Sequence, residues 1–216
     1  MAIKAVFLDL GNVLVRLKDR EFLRRMKRAC PDLTLNQFES ALLSAGSPHL
    51  EYEMGRLDAA GFHRRLVKEL GLTWGLQEFV ENWVAFFTPN RPMELAVASL
   101  KPLAKVWLIS NTNAEHWAAV RERYKVVDQL DGAVLSHVEG LRKPDAAIFS
   151  LALARAGVKA SEAFYVDDLE QNVEAAKLLG MRTFLYRFND APFRAALEAQ
   201  GLSPRWIPGR TLAKHP

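Results

Sequence analysis

Four side chains in this 216-residue sequence stand at or just past the ends of apolar runs, where open α/β sheets collect their ligands, and a lysine stands just ahead of a helix-like stretch. Asp9 follows AVFL, Ser110 closes VWLIS, Lys143 lies in GLRKPD ahead of a helix-like stretch, and Asp167 with Asp168 end AFYVDD. Three carboxylates, a lysine and a hydroxyl therefore converge on one sheet edge. Like charges a few Å apart raise one another's proton affinity, so the three acids stay ionised together only beside a cation. Hard oxygen donors suit magnesium, which takes one or two carboxylates, keeps several waters and accepts substrate phosphate for the rest. Lys143 adds a second positive charge, and Ser110 with nearby backbone amides can hold phosphoryl oxygens. A carboxylate left free of metal can attack phosphorus to give an aspartyl-phosphate. Asn12 and Asn111 flank these positions and either touch substrate or shape their turns.

The elements that must position these groups are legible as hydrophobic periods. AVFLDL from Ala5, VWLIS from Val106, AFYVDD from Ala163 and RTFLY from Arg182 have the length and composition of strands buried on both faces. The stretches AEHWAAVRERY, DAAIFSLALARAG and EQNVEAAKLLG have helical character and separate the later runs, with Gly157 and Gly180 at helix C-cap positions. This alternation predicts an α/β fold, a doubly wound, Rossmann-like parallel sheet. Asp9 and Ser110 stand 101 positions apart, whereas a strand–helix–strand unit needs only about 30 residues. The excess contains REFLRRM, LNQFESALL, DAAGFHRRLVKEL and LQEFVENWVAFF, broken by turns at Pro31, Gly46 to Pro48, Gly55 and Gly71 to Thr73. The expected division is a core of residues 1–17 and 91–216 with a helical cap domain inserted at 18–90. After Gly201 an irregular, mobile tail is expected.

Composition sets the outer limits. With 50% hydrophobic and 25% charged residues, the chain is neither disordered nor fibrous. Cys30 is the only cysteine, which excludes an intrachain disulfide and a multi-thiolate metal site and suits a reducing cytosol. No run reaches about 18 uncharged apolar residues, and the start MAIKAVFLDLGN meets an acid early, so a cytoplasmic protein without membrane association is expected. The formal charge of +4 is a mild excess that attracts anionic substrates without implying nucleic acid, and RRMKRA at 24 to 29 reads as a solvated face. His49, His63, His116, His137 and His215 lack metal-ligand spacing and read as packing or surface residues. Phe79, Trp83, Phe86 and Phe87 read as cap core. A monomer or a homodimer is expected.

In order, and over nearly the whole chain, VFLDLGNVL, LISNT, GLRKPDAAIF and FYVDDLEQNVEAAKLLGM resemble the haloacid dehalogenase superfamily of hydrolases. The likeness is to the branch with a small helical cap, and within it to phosphatases whose first motif reads D-L-G-N-V. The resemblance implies Asp9 as nucleophile and magnesium ligand, Ser110 as the phosphate-binding hydroxyl, and Lys143 as the cation holding Asp9 and the phosphoryl group. It implies Asp168 as a direct magnesium ligand, with Asp167 helping directly or through water. Glu53, Gly55 and Arg56 in EYEMGRLD resemble a structural turn of related caps, and Arg16, Arg20 and Arg24 near the expected hinge could meet an anionic substrate.

One position departs from the family pattern. The usual first motif is D-x-D, whose second aspartate protonates the leaving group, and here that position is Gly11. Its carbonyl can still bind magnesium, and the glycine is expected to permit a turn. Losing a general acid typically costs about 10²- to 10⁴-fold, unless a cap residue, a held water, or a substrate whose leaving group needs no proton makes it good. The resemblance thus implies a magnesium-dependent phosphatase acting on a small phosphorylated metabolite. Three alternatives stand beside it. A 2-haloacid dehalogenase also lacks the second aspartate but needs no metal, and Asp167 with Asp168 argue against it. A phosphonate hydrolase needs a Schiff-base lysine in the cap, where only Lys18, Lys27 and Lys68 are available. A catalytically weak phosphate-binding protein is favoured by Gly11.

Overall fold

The structure is a computed structural model that describes residues 2–42 and 44–205. The first strand, β1 (Ala5–Leu8), has all four side chains buried, and the chain then runs through β2 (Val15–Leu17) into five helices. These are α1 (Asp19–Ala29), α2 (Leu35–Leu42), α3 (Pro48–Glu53), α4 (Ala59–Leu70) and α5 (Leu76–Trp83). The return is made by β3 (Phe87–Pro89) and α6 (Arg91–Leu100). Strand and helix then alternate through β4 (Lys105–Ser110), α7 (Ala114–Arg123), β5 (Gly132–Leu135), the short α8 (Ser136–Glu139), α9 (Ala146–Ala156), β6 (Ala163–Asp167), α10 (Glu170–Leu178), β7 (Arg182–Leu185) and α11 (Asp190–Ala199).

Five of the strands form one parallel sheet in the order β5-β4-β1-β6-β7, the doubly wound arrangement that the alternation predicts. Period-two alternation sends Val6, Leu8, Val106, Leu108, Phe164 and Val166 to one face, where Met93, Val97, Val120 and Phe193 cover them. Ala5, Phe7, Ile109 and Tyr165 face the other way, against Ile148, Phe149 and Ala176. Asp145 caps α9 by accepting the Ala147 N–H at 2.9 Å, and Gly157 closes that helix in a left-handed conformation (φ 67°).

The helices between β2 and β3 have a core of their own, built on Phe22, Met26, Tyr52, Phe62, Leu66, Phe79 and Trp83, with Cys30 buried in it. Strands β2 and β3 pair antiparallel as Val15↔Pro89, Arg16↔Thr88 and Leu17↔Phe87, so the outgoing and returning chains cross side by side. One reading of the sequence needs correction, and two elements, α3 and β5, lay outside it. The stretch LQEFVENWVAFF stops being helical at Trp83, because Phe87 is drawn into the β2–β3 pair and the core beneath it. The turn read at Gly46 to Pro48 leads into a further helix, α3, with Ser47 as N-cap and Pro48 in its first turn. The sheet also holds a strand not foreseen, β5. No helix among the described residues is long and apolar enough to cross a membrane. The end of the expected tail, residues 206–216 with His215, lies outside the described residues.

Candidate active site

Asp9 stands one residue beyond β1, is 8% exposed, and donates its backbone N–H to Val166 O (2.9 Å), extending the ladder to β6 by one rung. Lys143, 1% exposed, is held between two carboxylates: Nζ lies 2.6 Å from Asp9 Oδ1 and 2.7 Å from Asp167 Oδ2. A buried charge survives only with near-complete hydrogen bonding, and Asp167 has it. Its Oδ1 accepts from Leu169 N–H (2.8 Å) and Asn172 Nδ2 (3.1 Å), and its Oδ2 from Lys143 and the Tyr165 hydroxyl. Asp168, half-buried, accepts from Asn12 Nδ2 at 3.1 Å.

The electrostatics divide the three acids. Burial raises the Asp9 carboxyl to about 7; Lys143 opposes this, while Asp167 and Asp168 add to it. Burial also lifts Asp168 above its ordinary range, against the pull of Asn12. Asp167 goes the other way: burial would raise it, but Lys143, Tyr165 and the Leu169 N–H outweigh that and hold it low. Burial works against the Lys143 ammonium too, and Asp9 and Asp167 overcome it. Asp9, Asp167 and Asp168 each offer an oxygen, all within 4.8 Å of one another. The donor set is hard oxygen with negative charge in excess of one ammonium, which fits a divalent cation such as magnesium. Asp9 and Asp168 have the capacity to hold it, since Asp167 is already committed to four donors.

The remaining positions singled out in the sequence fall around this cluster. Ser110 ends β4, is 1% exposed, and its hydroxyl makes one long contact, 3.4 Å to Asn111 O. Asn111 clasps the backbone of Lys143 from both sides, with Oδ1 accepting its N–H at 2.8 Å and Nδ2 donating to its carbonyl at 3.0 Å. Asn12 adopts φ 53° and accepts the Leu17 N–H at 3.1 Å. The expectation that Gly11 permits the turn is therefore corrected: the left-handed residue is Asn12, and Gly11 is not among the positive-φ glycines. Tyr165 and Asn172, which fix Asp167, were not anticipated. Tyr165 carried a signal, since it lies two residues before Asp167 on one strand and so shares its face.

The insertion meets the sheet-bearing part of the chain through a line of polar contacts. Arg142 donates to Glu53 Oε2 (3.2 Å), Ser136 Oγ to Glu53 O (2.6 Å), and the Tyr52 hydroxyl to Glu115. Arg16 lies 4.7 Å over the Phe188 ring, while Arg20 and Arg24 face outward, as do Lys27 and Lys68. His49, His63, His116 and His137 each bond a backbone carbonyl, which makes them packing residues.

Residues 3–180 match a family described as haloacid dehalogenase-like hydrolase. Over 192 residues, 84% of this chain and 91% of the relative, the sequence is 29% identical to a D-ribitol-5-phosphate phosphatase of Bacteroides thetaiotaomicron. A haloacid dehalogenase family enzyme from the same organism, solved with magnesium and inorganic phosphate, superposes with a TM-score of 0.76 at 26% identity, covering 86% of this chain and 94% of that one. A 2-haloacid dehalogenase from Pseudomonas syringae pv. Tomato superposes with a TM-score of 0.58 at 25% identity, over 85% and 86%.

Proposed function

The chain belongs to the haloacid dehalogenase-like hydrolase family, and from that premise we propose that it is a magnesium-dependent phosphatase of a small phosphorylated metabolite, working through an aspartyl-phosphate on Asp9. The observation that carries this reading is the buried Asp9–Lys143–Asp167 chain with Asp168 beside it. Relatives named as phosphatases, and a similar structure holding magnesium and phosphate, support it. In this reading residues 18–90 form a cap domain over a core of residues 1–17 and 91–216.

Asp9, Asp168 and the Gly11 carbonyl would hold magnesium, which supplies positive charge that draws the phosphoryl group onto Asp9 and stabilises its developing charge. Lys143 keeps Asp9 oriented and offers N–H donors to the phosphoryl oxygens. Asp167 fixes Lys143, and Asn111 fixes its backbone. The Ser110 hydroxyl, nearly without partners, donates to a second phosphoryl oxygen. Asp9 attacks phosphorus, the ester oxygen leaves with the bonding pair, and water then displaces the carboxylate from phosphorus. Dehalogenation is disfavoured because it has no use for Asp168 or for the surplus negative charge.

The test is a magnesium-containing activity screen of the purified protein over sugar phosphates, nucleotides and acyl phosphates, with chloroacetate as control. Magnesium-dependent phosphate release supports the reading. Chloride release without metal, and no phosphate from any ester, overturns it.

A further inference from the structure

Glu53, the last residue of α3, is bonded to the sheet-bearing part of the chain twice, by its side chain and by its backbone. Its Oε2 accepts from Arg142 Nη2 at 3.2 Å, and its carbonyl accepts from Ser136 Oγ at 2.6 Å. Arg142 precedes Lys143, whose backbone N–H and carbonyl are both held by the Asn111 side chain. Asn111 precedes Thr112, whose N–H donates to Ser136 Oγ at 2.9 Å. The path therefore closes on itself: Glu53 to Arg142, along the peptide to Lys143, across to Asn111, along the peptide to Thr112, across to Ser136 and back to Glu53.

The links of this ring are specific. Ser136 has one hydroxyl proton and two carbonyls in reach, Glu53 O at 2.6 Å and Thr112 O at 3.0 Å. The closer one takes it, and His137 Nδ1, 3.1 Å from Thr112 O, serves the other. The Glu53 and Arg142 side chains are 12% and 30% exposed, so this pair is better shielded from water than an ordinary surface ion pair. Arg142 Nε is buried without a partner, and among the described residues the guanidinium hydrogen-bonds only Glu53. Removing either side chain strands the other charge in a place where charge is costly.

Resting on the phosphatase reading above, we propose that Glu53 and Arg142 are positioning residues for the reaction. They close the ring and thereby fix Lys143 relative to the loop that follows Ser110, so that one residue of the insertion helps hold the two groups that grip the phosphoryl oxygens. Asn111 alone ties the two loops directly. Glu53 and Ser136 tie them a second time from the far side, and two ties restrict the relative motion that one would allow. The Tyr52 hydroxyl, which donates to Glu115 of α7, also joins the insertion to the rest of the chain but lies outside the ring.

The experiment measures kcat and KM separately, with magnesium and an ester of an acidic phenol, alongside a melting curve for each protein. The variants are Glu53→Ala, Arg142→Ala, their double, Ser136→Ala, Arg142→Lys and Tyr52→Phe. Opening the ring at Glu53, Arg142 or Ser136 should lower kcat on the order of 10-fold or more and change KM less, because a misplacement of about 1 Å remote from the chemistry can cost about 10²-fold in rate. The double variant should fall no further than the worse single one, since a ring is opened only once. Arg142→Lys should retain most of the turnover, because a single nitrogen reaches Glu53, and Tyr52→Phe should stay near wild type. Ser136→Ala opens the ring without stranding a charge, and so carries the test if Glu53→Ala does not fold. Folded variants with lower melting temperatures but wild-type kcat overturn the proposal and leave the phosphatase reading intact, as does a Tyr52→Phe loss equal to that of Glu53→Ala. No phosphate release by wild type overturns the phosphatase reading and this proposal with it.

Discussion

His116 of α7 lies flat against Trp83 of α5, ring centroids 5.0 Å apart and planes 12° apart, with its Nε2 2.9 Å from the Trp83 carbonyl. The contact joins the helical insertion to the sheet, and the surrounding bonds fix the ring's charge. Asn113 Oδ1 accepts the His116 N–H as the N-cap of α7, which turns its Nδ2 toward His116 Nδ1 at 3.1 Å. Nε2 therefore donates, Nδ1 accepts, and a second ring proton would face an amide N–H.

The ring is consequently expected to stay neutral in acid. Burial, with His49 adding to it against the Trp83 carbonyl, lowers its pKa to about 3 from an ordinary 6.5. Above pH 6.5 both folded and unfolded states are neutral, and the stability is fully present. Between 6.5 and 3 only the unfolded chain takes up the proton, so stability falls by up to about 1.4 kcal/mol per pH unit. His137, shifted the same way by burial, adds to the slope. Denaturant melts at pH 7 and pH 5 should show a larger loss for wild type than for His116→Gln. Parallel losses would remove His116 from the account.

Gly55 should tolerate no side chain. It sits at φ 69°, and a Cβ there would lie 2.2 Å from the His137 carbonyl oxygen, at the seam where α3 meets α8. Gly46, at φ 75°, has nothing within 4 Å of its built Cβ. Gly46→Ala should cost only the left-handed backbone penalty, about 1–2 kcal/mol, and Gly55→Ala clearly more. Equal losses in urea unfolding would mean that the seam opens freely.

Magnesium should raise the melting temperature, and Asp168 should govern the gain. At about 100 times its dissociation constant a ligand stabilises by about 2.7 kcal/mol, which for a domain of this size is several degrees. Asp168→Asn leaves the Lys143 ion pairs in place, so it should lose most of the shift while remaining folded. The same magnesium shift in Asp168→Asn and wild type would contradict the proposed ligand set.

Much of this was legible because each chemical group sits at the end of a strand buried on both faces, and such strands announce themselves as unbroken apolar runs. AVFL and AFYVD are buried at every residue, and Asp9 and Asp167 follow or close them. What escaped depends on contacts distant in sequence. Strand β5, GAVL, carries a weak signal because Gly132 leaves room for the Trp107 indole, 2.4 Å from where its Cβ would stand. Strands β2 and β3 have three residues each and gain meaning only by pairing across the whole insertion. The same holds at the site: Asn111 reads as a polar residue beside a serine until Lys143, 32 positions away, closes on it.

The most direct measurement is magnesium-dependent phosphate release by Asp9→Asn beside wild type, using an ester of an acidic phenol and protein shown to be folded by its melting curve. The amide keeps the side chain's shape but cannot attack phosphorus, so release should fall to background while the fold survives. Turnover near the wild-type rate in folded Asp9→Asn would contradict an aspartyl-phosphate on Asp9.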